Sequence, residues 1–316
     1  MKRIIAGGTG FIGWHLIHHW LAMGCQLIVI GRDKTKIESL YGNKVTAMNW
    51  PEVKRVNTDL LREVDCIINL TGASISEGRW TPARKAEILS SRIDSTKTLA
   101  SICAVKGRNS PPLFNAGGVG IYGAQPEIRE GLPPPLDENT RIDYAAAPDF
   151  LASVGRQWEQ TTDIAKRAGT RVVNMRFGAV LAKDGGALPR IALPFYLFLG
   201  GPLGSGQQPV TWITLVDLIA AIDFLLPRND INGPVNLVAP ECVRQRQFAK
   251  TLGKVLHRPS CVPTPAFVLK LFFGDMGKEL LLSGQHVVPT CLFQAGFQFQ
   301  YPDLFKALKM IYAARN

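Results

Sequence analysis

The sequence predicts an α/β protein: a doubly wound parallel sheet with helices on both faces, followed by a smaller, mostly helical C-terminal subdomain. Three observations predict it. An apolar run, Lys2-Arg3-Ile4-Ile5-Ala6, breaks directly into the glycine turn Gly7-Gly8-Thr9-Gly10-Phe11-Ile12-Gly13, and a helical pattern follows. Short apolar runs and helical periods then alternate through about residue 180, which requires parallel strands joined by crossover helices. From about Pro263 the pattern is helical and punctuated by proline.

The opening stretch sets the rest. Strand, glycine turn and helix N-terminus form the geometry of a dinucleotide-binding βαβ unit. Gly7 permits the sharp turn, Gly10 lets backbone approach a pyrophosphate, and Gly13 lets the helix pack close to the strand. The phosphates are expected on unpaired N–H groups at the positive end of the helix dipole. Leu16, Ile17, Trp20 and Leu21 then recur at helical spacing, and Gly24 is placed to end the helix. His15, His18 and His19 share that helix, but no carboxylate or cysteine motif accompanies them, so they are read as surface residues and no metal site is expected. Gln26 to Ile30 is the second strand, and Gly31-Arg32-Asp33 closes it. An acidic residue directly after this strand would prefer a free ribose 2′-hydroxyl, whereas Arg32 suits a 2′-phosphate.

Val45 to Met48 reads as a third, short strand. Cys66 to Leu70 is a buried strand ending in Thr71-Gly72, small enough to let backbone pass beside a cofactor ribose. Arg79-Trp80-Thr81-Pro82 opens a long helix to about Val105, with Pro82 suited to its first turn. Leu113-Phe114-Asn115 is the next strand, running into Ala116-Gly117-Gly118 and on to Tyr122-Gly123. Residues 125–148 are a proline-rich surface loop of the kind that borders substrate sites. A helix is expected from Phe150 to about Ala168, a strand over Arg171 to Arg176, and an apolar helix from Gly185-Gly186 to Leu199. Gly200 to Gln207 is a glycine loop, either a flexible lid or a plain connection. A helix near Asp217 and a late strand over Gly233 to Val238 complete the sheet.

Composition narrows the class. The chain has 316 residues, 46% of them hydrophobic, and a mean hydropathy of +0.07. No apolar run approaches the ~20 residues of a membrane span, and a first strand beginning by residue 3 leaves no place for a signal peptide. Six cysteines without a Cys-x-x-Cys suggest neither zinc nor a disulfide framework, so a cytoplasmic location is expected. The net charge of +11 comes from 36 scattered Lys and Arg against 25 Asp and Glu. Without a long basic run it favours anionic small ligands over nucleic acid. The expected partner is a small-molecule substrate, with no membrane, and a monomer or homodimer.

On the glycine turn, Asn69-Leu70-Thr71-Gly72, Arg79-Trp80-Thr81, Arg176-Phe177-Gly178-Ala179-Val180-Leu181 and the block from Pro194-Phe195 to Gly204-Ser205-Gly206, nearly the whole chain resembles the extended or atypical short-chain dehydrogenase/reductases. It is most similar to the epimerase-family group, including the YfcH-like bacterial proteins, whose C-terminal domain is one of unknown function (DUF1731). Ser283-Gly284-Gln285 and Ala295-Gly296-Phe297 carry the match into that domain. The resemblance implies a Rossmann domain over residues 1–240, the C-terminal subdomain over 241–316, and NADP(H) as cofactor. The cofactor residues implied are Gly7, Thr9, Gly10, Phe11, Ile12, Gly13, Arg32, Leu70, Thr71, Gly72, Asn115 and Ala116. Trp80, Arg92 and Tyr122 are expected on the substrate side.

The superfamily's chemistry uses a Tyr, a Lys four residues later, a Ser and an Asn. Those positions fall here on Leu151, Gly155, Gly117 and Arg92, and no Tyr-x-x-x-Lys occurs anywhere in the chain. Two readings stand at this point. One is an NADP-dependent oxidoreductase or nucleotide-sugar epimerase that uses another acid–base group, with Tyr122, Tyr144 and Arg92 nearest. The other is a non-catalytic NADP(H)-binding regulatory or scaffold protein.

Overall fold

The structure, a computed structural model, describes residues 1–313. The first half alternates strictly: β1 (Lys2–Ala6), α1 (Phe11–Ala22), β2 (Gln26–Gly31), α2 (Lys34–Tyr41), β3 (Thr46–Asn49) and α3 (Trp50–Val56). It continues with β4 (Cys66–Asn69), α4 (Pro82–Lys106), β5 (Leu113–Gly118), α5 (Phe150–Gln160), α6 (Asp163–Arg167) and β6 (Val172–Phe177). Then come β7 (Ala179–Leu181), α7 (Leu188–Tyr196), β8 (Pro209–Val210), β9 (Trp212–Thr214), α8 (Leu215–Leu225) and β10 (Gly233–Leu237). The rest is β11 (Val243–Arg244), α9 (Gln245–Leu256), α10 (Ala266–Phe273), α11 (Thr290–Gln294) and α12 (Leu304–Ala313).

The main sheet has seven strands in the order β10-β6-β5-β4-β1-β2-β3, all parallel. The chain winds outward from β1 to β3, then returns to β4 on the other side of β1. That reversal places a crevice beyond the carboxyl ends of β1 and β4, where open α/β sheets bind ligands. Both faces of the sheet are buried, so its strands are largely apolar. Ile5, Val29, Ile68 and Phe114 point to one core layer and Ile4, Ile28, Ile67 and Leu113 to the other. Each such side chain contributes roughly 1.5–3 kcal/mol on burial. A third layer joins Leu188 and Phe195 of α7 and Trp212 of β9 to Phe248 of α9 and Leu304 and Leu308 of α12.

Two local expectations need correction, one pair of helices was missed, and one open alternative is decided. The helix from Phe150 breaks into α5 and α6, because the Thr162 hydroxyl donates to Glu159 O and draws the backbone out of the helical pattern. The helix expected to reach Leu199 ends at Tyr196, and Phe198 takes a left-handed φ of 61°. The helices α2 and α3 were not expected, although Asn49 and Glu52 form a capping box around Trp50-Pro51. Of the two readings of the glycine loop, the plain connection fits: Val262 N donates to Gly200 O and Gly204 N to Thr264 O. At Gly201 a Cβ would collide with the Val262 backbone.

The proline-rich loop is irregular, as its composition indicates, but it is tied down. Leu136 N donates to His286 O, Val288 N to Leu136 O and Gln125 N to Gly284 O.

Candidate nucleotide and substrate site

At the end of β1 the chain turns at Gly7, whose φ is +86° and whose Cβ, if present, would stand 2.8 Å from Leu70 C and O. This close approach joins the ends of β1 and β4. The Gly10 N–H donates back to Gly7 O at 3.1 Å, and Gly10 begins α1 with no side-chain cap. The N–H groups of Phe11, Ile12 and Gly13 find no acceptor among the described residues. They are the orphan donors of a helix start, at its positive end. A Cβ at Gly10 would meet only Gly7 O, at 3.4 Å, so the space beside it is free of protein; one at Gly13 would press into Gly8 at 2.8 Å. Gly10 and Gly13 thus have different uses, approach and packing. Thr9 is exposed beside them. The Phe11 ring lies against Gly185 and Gly186.

Tyr41, at the end of α2, is buried and donates its hydroxyl to Gly8 O at 2.6 Å. Burial pushes its pKa up to about 12. Sequence reading missed this residue; its only signal was an aromatic at the end of an amphipathic stretch.

At the end of β2 the two candidate ribose readers separate. Asp33 is the N-cap of α2 and accepts from Lys36 N at 3.1 Å. Arg32 is exposed and has no ion pair or side-chain hydrogen bond among the described residues. The acid is occupied by the fold and the cation is available.

The end of β4 sits on a buried polar network. Asn69, Asn115 and Asn174 stand in register across β4, β5 and β6, but the Asn174 amide makes no hydrogen bond to a described residue. Asn69 Nδ2 donates to Thr96 Oγ1 and Asn115 Oδ1, each at 2.8 Å, and Trp158 Nε1 donates to Thr96 Oγ1 at 2.8 Å. The Thr71 hydroxyl lies 2.5 Å from both Asn69 Oδ1 and Ser95 Oγ. Asn115 is fully buried, and its amide goes to Asn69, Thr96 and Ala116 O. Its side chain therefore faces the interior, and it reaches the crevice only by fixing the strand end. Leu70 and Thr71 are half-buried and Ala116 is buried at that end.

Of the three substrate-side expectations, only Arg92 keeps free donors. It projects from α4 beneath Gly72, donating Nη1 to Ala73 O at 3.0 Å and Ile88 O at 2.8 Å, over the Trp158 ring. Burial, with the Arg84 charge beside it, lowers its pKa to about 10. Trp80 is buried against Phe150, Ile88, Val154 and Met276, with Nε1 donating to Ile75 O. Tyr122 accepts from Arg176 Nη1 at 2.7 Å and faces Asp137 O and Asn236 Oδ1 at 2.8 and 2.9 Å. Arg176 also grips Glu159 through Nε and Nη2 at 2.7 and 2.9 Å, and Tyr144 donates to Glu159 at 3.1 Å. Burial pushes both tyrosines up to about 12. Their hydroxyls are committed to this cluster. Its charged members, Arg176 and Glu159, went unread; the signal was a charge inside each of two otherwise apolar patterns.

No three His, Cys, Asp or Glu gather as a metal site among the described residues. His15 pairs with Asp184 at 3.1 Å and His19 with Asp223 at 2.6 Å.

The profile of the NAD dependent epimerase/dehydratase family matches residues 3–237, and that of the domain of unknown function DUF1731 matches 264–311. The chain belongs to the NAD dependent epimerase/dehydratase family. An epimerase family protein of Staphylococcus epidermidis is 37% identical over 311 residues, covering 98% of each chain. One from Staphylococcus aureus is 36% identical over 314 residues, again covering 98% of each. The crystal structure of human epimerase family protein SDR39U1 with NADPH superimposes with a TM-score of 0.86, at 30% identity and over 100% of both chains. The nucleoside-diphosphate sugar epimerase of Corynebacterium glutamicum gives 0.73 at 26% identity, over 99% of this chain and 58% of that one.

Within this epimerase family fold, the position matching the superfamily's Tyr holds an apolar side chain and the position matching its Lys is closed. Leu151 packs against Gly120, where a Cβ would stand 3.2 Å from its own. At Gly155 a Cβ would stand 2.9 Å from that of Ile121, so α5 lies too close to residues 119–122 for any side chain. The Phe150 and Leu151 N–H groups are held by Glu279, from a π-helical turn at Gly277–Leu281, at 3.4 and 3.0 Å. Burial raises the pKa of that carboxyl.

Proposed function

We propose that the protein binds NADP(H) and acts as an oxidoreductase or epimerase on a small-molecule substrate, by a route that omits the Tyr–Lys pair. The observation that carries this reading is the pairing of three free N–H groups at Phe11–Gly13 with an unengaged Arg32, while Asp33 is spent as a helix cap. The residues present fit the cofactor. Gly7, Thr9, Gly10, Phe11, Ile12 and Gly13 would hold the pyrophosphate, Arg32 the 2′-phosphate, and Leu70, Thr71, Gly72 and Ala116 the ribose and nicotinamide end, with Asn115 fixing the strand end from within. The NADPH recorded with the human relative supports the assignment. The cofactor would supply hydride chemistry; the chain's part is to orient it and exclude water. Residues 1–240 would form the cofactor domain and 241–316 the substrate-side subdomain, in a cytoplasmic monomer or homodimer with no nucleic-acid or membrane partner.

A second reading, an NADP(H)-binding regulatory or scaffold protein without turnover, is favoured by the apolar Leu151 and the closed position at Gly155. Calorimetric titration with NADPH and NADH tests the shared part. NADPH is expected to bind about ten- to a hundred-fold more tightly, through a charge-assisted contact of roughly 1.5–3 kcal/mol, and Arg32→Ala to abolish the preference. Gly10→Val is expected to fold and to lose both cofactors. Equal affinities in the unmutated protein would remove the basis for NADP(H). A carbonyl and nucleotide-sugar screen followed by NADPH absorbance and NMR separates turnover from its absence.

A further inference from the structure

Arg92 is a half-buried cation for which the chain provides no carboxylate among the described residues. Its guanidinium is sandwiched. A Cβ at Gly72 would stand 2.8 Å from Cζ and 3.0 Å from Nη2, and the Trp158 ring centre lies 5.0 Å from Cζ. Glycine at 72 is what lets the guanidinium lie there. Only Nη1 is engaged, by two carbonyls. Nε and Nη2 donate to no described residue, and neither is sealed off as a buried unpartnered atom.

Those two nitrogens form the side-on fork of the guanidinium, which matches a carboxylate. The protein uses the same edge where it holds its own carboxylates. Arg176 grips Glu159 through Nε and Nη2 at 2.7 and 2.9 Å, and Arg228 grips Asp230 through the same atoms at 3.0 Å each. Arg156, Arg171 and Arg244 also lack a carboxylate, but each spends two or three nitrogens on backbone carbonyls. Arg92 spends one. With a pKa lowered only to about 10, it is charged at neutral pH, and a desolvated charge is costly until an anion completes it.

Ile88, one turn before Arg92 on α4, is fully buried, and the Trp158 ring under the guanidinium is nearly so, which leaves the Nε–Nη2 edge as the part of Arg92 that a ligand can meet. The Ser, Tyr and Lys positions of the superfamily, at Gly117, Leu151 and Gly155, carry no polar side chain that would read sugar hydroxyls.

We propose that the Nε–Nη2 edge of Arg92 is the carboxylate-recognition point of the substrate site, and that the substrate class is a small organic acid. This rests on the function proposed above in assigning the acid to a site beside the cofactor. The test compares benzoate with benzamide, which differ in the carboxylate alone. Binding is followed by NMR titration of the NADPH-loaded protein at constant ionic strength and repeated without cofactor. Benzoate is expected to bind at least about tenfold more tightly than benzamide. Arg92→Gln removes that preference. Arg92→Lys, which keeps the charge without the fork, retains only part of it, and serves if the Gln variant does not fold. Equal affinities for the two probes in the unmutated protein, or an undiminished preference in Arg92→Gln, overturns the proposal. Failure of NADPH to bind overturns the cofactor assignment instead, and the benzoate preference of the cofactor-free protein still decides Arg92.

Discussion

Tyr41 shows how one residue outside the glycine motif shapes it. The motif specifies where the backbone turns, but a carbonyl such as Gly8 O needs a partner to stay turned away from the phosphates. The Tyr41 hydroxyl supplies it from α2 at 2.6 Å. Tyr41→Phe removes one hydrogen bond worth roughly 0.5–1.5 kcal/mol, and a few-fold loss of NADPH affinity by calorimetry is the expected outcome. The same phenol also makes stability depend on pH. Its pKa is about 12 in the folded chain against 10.0 unfolded, so the folded state holds the proton more tightly. The contribution is fully present below pH 10 and is lost as pH rises toward 12. The unmutated protein should therefore lose thermal stability relative to Tyr41→Phe across that window. Parallel melting curves for the two proteins would refute this.

The contact between α5 and residues 119–122 carries the next prediction. In the wider superfamily α5 would bring a Lys toward the ribose. Here it approaches so closely that a Cβ at 155 would stand 2.9 Å from Ile121 Cβ. Gly155→Lys is expected to destabilise by about 1–3 kcal/mol through overpacking, seen as a lowered denaturant midpoint, and not to create Tyr–Lys chemistry even when paired with Leu151→Tyr. A double variant of unchanged stability would show that α5 can move outward. The sequence could show that the Lys was missing, from spacing alone; it could not show that its place was filled. Strong periods were legible in the same way: the strands of the sheet and the long helix at Pro82 follow from local pattern. The ends of α5 and α7 did not, because the Thr162 hydroxyl and the left-handed Phe198 override periodicity. At the site, the glycine turn and Arg32 could be read locally. The Arg176–Glu159 pair and the fork of Arg92 depend on contacts between residues far apart in the chain.

Whether the C-terminal segment is an appendage or part of the fold is decided at the scale of the molecule. The expected boundary near residue 240 cuts through a shared apolar layer, with Leu188, Phe195 and Trp212 on one side and Phe248, Leu252, Leu304 and Leu308 on the other. Polar ties cross it too. Asp217, fully buried, accepts from Gln300 N and Tyr301 N at 2.8 and 3.1 Å, and Glu279 caps α5. A chain ending at residue 240 would expose that layer and leave Asp217 without two of its donors. Removing a partner from a buried charge costs several kcal/mol, and losing the apolar cover adds roughly 1.5–3 kcal/mol for each large side chain uncovered. Against a typical total stability of about 5–15 kcal/mol, the sum leaves no margin. The full chain is therefore expected to unfold in one cooperative step, with coincident near- and far-ultraviolet dichroism transitions. The 1–240 fragment is expected to bind a hydrophobic dye, lack a sharp melting transition and fail to bind NADPH. A fragment that melts cooperatively and binds NADPH as the whole protein does would show that the two parts fold independently.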